Sequence, residues 1–212
     1  MPAHVEKVEP GPLKKLENLL WWWTWLNRDM AKSWKWKDCP WWYNERASIS
    51  TIAGAVWNAG GTALEEYSSK KRKGGRSAYG RCDLYFRIGR DEYVTEAKLC
   101  WLSAGRQARD MEGNVRYWLD EAYKDAKRTA VDLRGGETIL GILFVVPCVP
   151  QKSEEDFLGE RIKGVQEVFI DIAKKEKCAL AWIFPRDARK MTYRGAGYIF
   201  PGTAVLIKRV QV

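Results

Sequence analysis

Two β-forming runs separated by only two residues constrain this chain more than anything else in it. Cys82 to Ile88 reads Cys-Asp-Leu-Tyr-Phe-Arg-Ile, and Asp91 to Leu99 reads Asp-Glu-Tyr-Val-Thr-Glu-Ala-Lys-Leu. Both are rich in β-branched, aromatic and long apolar residues. Gly89-Arg90 lies between them. Glycine in first place suits a type II′ hairpin turn, whose first central residue needs positive φ. Such a turn pairs Ile88 with Asp91, and counting back along both strands pairs Asp83 with Glu96. Side chains alternate between faces with a period of two. One face therefore gathers Asp83, Tyr85, Arg87, Glu92, Val94, Glu96 and Lys98. The other gathers Leu84, Phe86, Ile88, Tyr93, Thr95, Ala97 and Leu99, and is the face expected in the core.

Two carboxylates and one lysine on a single face are the minimum apparatus for metal-assisted attack on a phosphodiester. A hard divalent cation such as Mg²⁺ takes carboxylate oxygens and keeps several waters. Lys98 lies about 6–7 Å beyond Glu96 along the strand, where an ammonium can orient a water or stabilise charge on phosphorus. A hairpin with one solvated face carries the same alternation of charge. Upstream, Ile49, Ile52, Ala53, Val56 and Trp57 repeat at helical spacing,. Glu45, four residues before Ile49, extends that apolar face. A carboxylate on the core side of a helix needs a partner, although an acid in a first helical turn is also favoured by the helix dipole.

The order of a helix with an acid (Glu45), a strand, Asp83, Glu96-Ala97-Lys98, a helix and a buried strand resembles the PD-(D/E)xK nuclease superfamily. The resemblance covers roughly residues 44 to 147. It implies a restriction-endonuclease-like fold, a mixed sheet flanked by helices with an αβββαβ core. It also implies Mg²⁺-dependent hydrolysis of DNA, with Mn²⁺ as a substitute, giving a 5′-phosphate and a 3′-hydroxyl. On that resemblance Asp83 and Glu96 match the metal ligands, Lys98 the catalytic lysine and Glu45 the helix acid, while the carbonyl of Ala97 adds a ligand. Glu65 or Glu66 can stand in for Glu45. Cys82 occupies the position of the proline that gives the motif its name.

The charge of the chain suits an anionic partner. Its formal net charge is +9, and basic proteins of this size often meet nucleic acid. Lys70, Lys71, Arg72, Lys73 and Arg76 surround Gly74-Gly75 just before the Asp83 strand. That grouping reads as a flexible basic loop able to grip phosphates. Gln107, near the start of the following helix, is a further candidate contact to substrate. The only histidine is His4, and the five cysteines show no Cys-x-x-Cys pair. These counts disfavour His-dependent nucleophiles, zinc sites and a disulfide framework, and they suit a reducing, cytoplasmic compartment. The longest apolar run, Ile139 to Pro147, is too short to cross a bilayer, so no membrane partner is expected.

At 212 residues the chain is long enough for one well-buried α/β domain,. Residues 1–43 read as a Trp-rich N-terminal helical segment and 44–212 as the nuclease-like domain. The first twelve residues, with three prolines, are expected to lack regular structure. Leu13 to about Lys37 reads as a helix with Leu16, Leu19, Leu20, Trp23, Leu26 and Met30 as its stripe. Eight of the twelve tryptophans lie between Trp21 and Trp42. They suit packing on the core, a homodimer or protein contact, or stacking on unpaired bases. Downstream the spacing predicts a first strand over Ala63 to Ser69 and a helix over Ser103 to about Val131. Ala104, Ala108, Met111, Val115, Trp118, Ala122 and Ala126 form its apolar side. A fully apolar strand follows over Thr138 to Val146, then a helix over Glu154 to Glu176. Two further strands are expected over Ala179 to Phe184 and Ala204 to Val210.

Overall fold

The structure, a computed structural model, describes residues 6–73, 76–105, 109–129, 135–151, 155–192 and 197–211, with backbone alone for 69–73, 76–79 and 155–157. The described residues form a mixed α/β fold. The helices are α1 (Glu17–Ser33), α2 (Glu45–Asn58), α3 (Met111–Thr129) and α4 (Glu155–Lys175). The strands are β1 (Glu6–Glu9), β2 (Thr62–Lys73), β3 (Arg76–Ile88), β4 (Asp91–Ser103), β5 (Thr138–Pro150), β6 (Ala179–Ile183), β7 (Tyr198–Ile199) and β8 (Thr203–Arg209). They make one eight-stranded sheet in the order β1-β6-β8-β5-β4-β3-β2, with β7 paired to β5 off this path. The β4–β5 pair is parallel, joined through α3, and the other pairs are antiparallel.

Strict alternation along the central strands produces two cores. Leu140, Ile142 and Phe144 of β5 pack with Val205 and Ile207 of β8 against α1 and α2. Leu143 and Val145 of β5 pack with Ala204 and Leu206 against α3 and α4. A strand covered on both faces reads as a continuous apolar run, as β5 does. The Trp-rich helix contributes Leu19, Leu20 and Trp23 to the first core. Its Trp21 and Trp25 are exposed, and Trp41 and Trp42 join a smaller cluster with Val146 and Met191.

Several boundaries differ from expectation for identifiable reasons. The proline-containing start is not wholly irregular, because Glu6–Glu9 pairs with β6. The first helix begins as a 3₁₀ turn at Lys14–Leu16 and ends at Ser33, before Lys35 and Trp36 adopt positive φ. Helix α3 begins at Met111 rather than Ser103. Strand β4 continues to Ser103 beside β5, and Asp110 then caps the helix by accepting from the Gly113 N–H at 2.8 Å,. Trp57, expected on the buried stripe of α2, is exposed, as is Trp118 of α3. The basic cluster is not a loop. Lys70 to Lys73 lie in β2, paired with Tyr79 to Arg76 of β3, so the charges ride on a long two-stranded arm at the sheet edge.

Candidate functional site

The hairpin turn forms as its residues dictate. Gly89 has φ of +59° and Ile88 pairs with Asp91. The ladder then stops at Leu84↔Thr95, one step short of the pairing expected between Asp83 and Glu96. On its other side the β2–β3 ladder passes from Glu65↔Leu84 to Tyr67↔Cys82, skipping Glu66 and Asp83, where Glu66 has φ of +51°. Asp83 thus sits at a break in both ladders. Its side chain bridges the gap, with Oδ2 accepting from the Ala97 N–H at 2.8 Å. Beyond this point β3 and β4 part and form a fork.

A small cleft of about 210 Å³ opens beside the fork, at the break between β2 and β3. Glu45 and Ile49 of α2, Glu65 and Glu66 of β2, and Arg81 and Asp83 of β3 line it, together with Arg46. Helix α2 reaches the fork because Asn44 caps it, accepting from the Ala47 N–H at 3.1 Å, which leaves Glu45 in the first turn,. The alternative acids are also here. Glu66 is paired with Arg46 at 2.7 Å and Arg81 at 3.1 Å, while Glu65 accepts from Ser50 Oγ at 3.0 Å.

Glu45, Asp83 and Lys98 act on one another electrostatically. Burial pushes the Glu45 carboxyl above its usual range; Lys98 and an N–H bond from Leu99 oppose this, and Asp83 and Asp125 add to it. Burial pulls the Lys98 ammonium down. Its bond to Asp125 at 2.6 Å, with the charges of Asp125, Glu45 and Asp83, more than offsets this, so its pKa is raised. Lys98 is therefore a cation at neutral pH.

Glu96 and Lys98 face α3, as strand alternation requires. Glu96 is only 3% exposed and accepts from Thr129 Oγ1 at 2.7 Å. Its charge also raises the Cys82 thiol, which burial pushes up to about 11. Helix α3 lies this close because Gly141, opposite Glu96 in β5, has no side chain. A Cβ there would fall 2.9 Å from the Tyr123 nitrogen.

Asp125 and Thr129 were not singled out by sequence reasoning, yet they hold Lys98 and Glu96. Their signal is faint: two polar residues four apart, bordering Ala122 and Ala126 on a buried helix face. Arg46 and Arg81 carried no pattern at all. Gln107 lies outside the described residues, and so do the side chains of Lys70, Lys71, Arg72, Lys73 and Arg76.

The donors of the cleft are hard carboxylate oxygens, which suit Mg²⁺ or Mn²⁺. Among the described residues no group of three or more His, Cys, Asp or Glu side chains is arranged to hold a metal ion. Mg²⁺ commonly takes one or two carboxylates and completes its shell with water and substrate phosphate. A cation between Asp83 and Glu45 would relieve the repulsion that helps raise the Glu45 pKa. No helix among the described residues is long and apolar enough to cross a membrane. Comparison with protein-family models, curated proteins and solved structures returns no match.

Proposed function

We propose that this chain is a divalent-metal-dependent nuclease that hydrolyses DNA phosphodiesters at the fork of β3 and β4. One observation carries the reading: Glu45 of α2 and Asp83 of β3 line one cleft, and the charge of Lys98 on β4 acts on both. The element order α2-β2-β3-β4-α3-β5, with β4 and β5 parallel, supports it, because this is the αβββαβ order that the PD-(D/E)xK resemblance implies.

Asp83 and Glu45 would hold the cation; Glu96 and the Ala97 carbonyl belong to the ligand set implied by the resemblance, but neither lines the cleft. When bound, the cation supplies Lewis acidity and a more acidic water. The Ala97 N–H fixes the Asp83 carboxylate. Lys98, held protonated, donates to the attacking water and stabilises charge growing on the phosphate oxygens; it does not act as the base. Asp125 is a positioning residue that fixes the ammonium. Thr129 does the same for Glu96. The basic arm of β2 and β3 supplies a salt-sensitive grip on the backbone.

Replacing Lys98 tests this reading. Lys98→Ala should lower single-turnover cleavage by about 10²–10³, the usual loss for one preorganised electrostatic group, and leave DNA binding nearly intact. Lys98→Arg should rescue poorly, because its planar fork cannot place a compact charge. A Lys98→Ala protein cleaving at the parent rate would remove the lysine from the mechanism. The second reading is a non-catalytic module that binds nucleic acid or protein on the same fold. The lack of a three-residue metal cluster among the described residues favours it. That reading expects no cleavage with any divalent ion and a Lys98→Ala effect confined to affinity.

A further inference from the structure

Beside the cleft lies a second, larger depression of about 650 Å³. Its walls are aromatic: Trp42, Tyr43, Trp101, Tyr198 and Phe200. Trp101 and Tyr198 are 45% and 46% exposed and stand together in one depression, the grouping that marks a contact surface,. The wall behind them is firmly built. Trp101 meets Phe200 edge-to-face with centroids 5.3 Å apart, and Trp41 Nε1 donates to the Phe200 carbonyl at 3.0 Å. Trp41, Trp42, Val146, Ala188 and Met191 pack as one cluster underneath.

The groove and the cleft meet at the start of α2: Asn44 lines the groove and Glu45, the next residue, lines the cleft. Leu99 of β4 is a backbone neighbour that steadies the Glu45 charge, and Trp101 lies two residues further on the same face of β4, about 7 Å along the strand. A chain whose phosphate lay at Glu45 and Asp83 would present its neighbouring base to Trp101.

We propose that this groove holds unpaired nucleobases flanking the scissile phosphate, so that the substrate is single-stranded or locally unpaired DNA. The inference rests on the hydrolytic reading of the adjacent cleft for its ligand class. Flat apolar rings offer a base face-to-face stacking, which every base accepts. In a duplex the base faces are already stacked and only the edges are open, so a paired strand has nothing to insert. The volume lies within the usual range for a small-ligand site, roughly 300–1,000 Å³. A net charge of +9 attracts a polyanion rather than a neutral peptide or a lipid tail,.

The test is fluorescence anisotropy with the full chain in EDTA, which separates binding from cleavage. The probes are an oligothymidine of roughly 12 nucleotides, an abasic strand of equal length and charge, and a duplex. Oligothymidine should bind more tightly than the abasic strand. Trp101→Ala should weaken oligothymidine by roughly 5- to 150-fold, the equivalent of about 1–3 kcal/mol per stacked base, and bring it to the abasic level. Trp101→Phe should restore most of the loss, and Tyr198→Ala, at a second exposed ring of the same lining, should repeat it. The proposal is overturned if Trp101→Ala weakens the abasic strand equally, if it weakens neither, or if the duplex binds as well as oligothymidine. It is also overturned if sedimentation shows a dimer that Trp101→Ala dissociates, since a second copy would then fill the groove. Base-dependent binding without divalent-dependent cleavage would keep the groove and remove the nuclease reading. Cleavage without base dependence would do the reverse.

Discussion

Replacing Asp125 by asparagine should cost stability in a way that depends on pH. Asp125 Oδ2 lies 2.6 Å from Lys98 Nζ, and both side chains are about a quarter exposed. Coulomb attraction at that range is about 6 kcal/mol for an effective dielectric near 20. The net value is smaller. Exposed pairs are worth up to about 1 kcal/mol, and breaking a fully buried one costs about 3–5. A half-buried pair should fall between, near 2 kcal/mol at neutral pH. For a domain of this size that is a fall in Tm of about 4–8 °C. The sign with pH follows from both partners. Lys98 has a raised pKa, so its share is complete below its ordinary value of 10.5 and is lost as pH rises through the folded value,. Asp125 is partly buried, which raises its pKa, but Lys98 and Arg128 bring it below its ordinary 3.8, so its share is lost as pH falls through the folded value,. The gap between parent and Asp125→Asn should be full from about pH 5 to 9 and narrow outside that window. Urea unfolding at a series of pH values measures it, and a cycle with Lys98→Met isolates the pair at about 1–2 kcal/mol. A gap below about 0.5 kcal/mol, or one that does not change with acid, would refute the reasoning.

Three further outcomes can be measured on simple variants. Gly141→Ala would place a Cβ within 3.0 Å of backbone atoms of Ala122 and Tyr123; α3 must shift, at about 1–3 kcal/mol, and thermal melting should fall together with cleavage as Asp125 and Thr129 leave their partners. Glu176→Gln removes bonds from Lys208 at 2.7 Å and Arg116 at 3.0 Å. Because Lys208, the main cause, and Arg116 hold the Glu176 pKa below 4.5, about 1 kcal/mol should be lost at neutral pH, and urea titrations should show the difference vanish as acid protonates the parent carboxyl. Replacing Lys70, Lys71, Arg72 and Lys73 with alanine should flatten the salt dependence of DNA binding, in log–log slope, by about 0.7 per lost phosphate contact on a single strand or about 0.9 on a duplex; an unchanged slope would show that the arm does not hold the backbone.

The hairpin was legible because its turn and alternation are local. Gly89 and the runs on either side suffice to pair Ile88 with Asp91 and to choose the core face. The central strand β5 was legible because a run buried on both faces has no polar member until its end. The fork was not legible. It depends on Glu66 adopting positive φ and on Asp83 reaching the Ala97 N–H, and nothing local announces either. The grip of α3 was hidden for another reason. Asp125 and Thr129 find Lys98 and Glu96 across some thirty residues of chain, through a close approach set by Gly141. The basic cluster reads as a loop because Gly74-Gly75 suggests flexibility, whereas the flanking residues complete a strand ladder. The aromatic groove is not legible because Trp42, Trp101 and the pair Tyr198 and Phe200 come from three separate stretches of sequence.

On the proposed reading, Asp83 at the fork serves divalent-dependent phosphodiester hydrolysis. The most direct measurement is single-turnover cleavage of linear, circular and single-stranded DNA, with and without Mg²⁺ or Mn²⁺, by the parent chain and by Asp83→Asn. The parent should cleave only with the metal, and the nearly isosteric variant should lose at least about 10²-fold while melting within a few degrees of the parent. A parent inert on every substrate with either metal, or an Asp83→Asn protein that keeps the parent rate, would contradict the account.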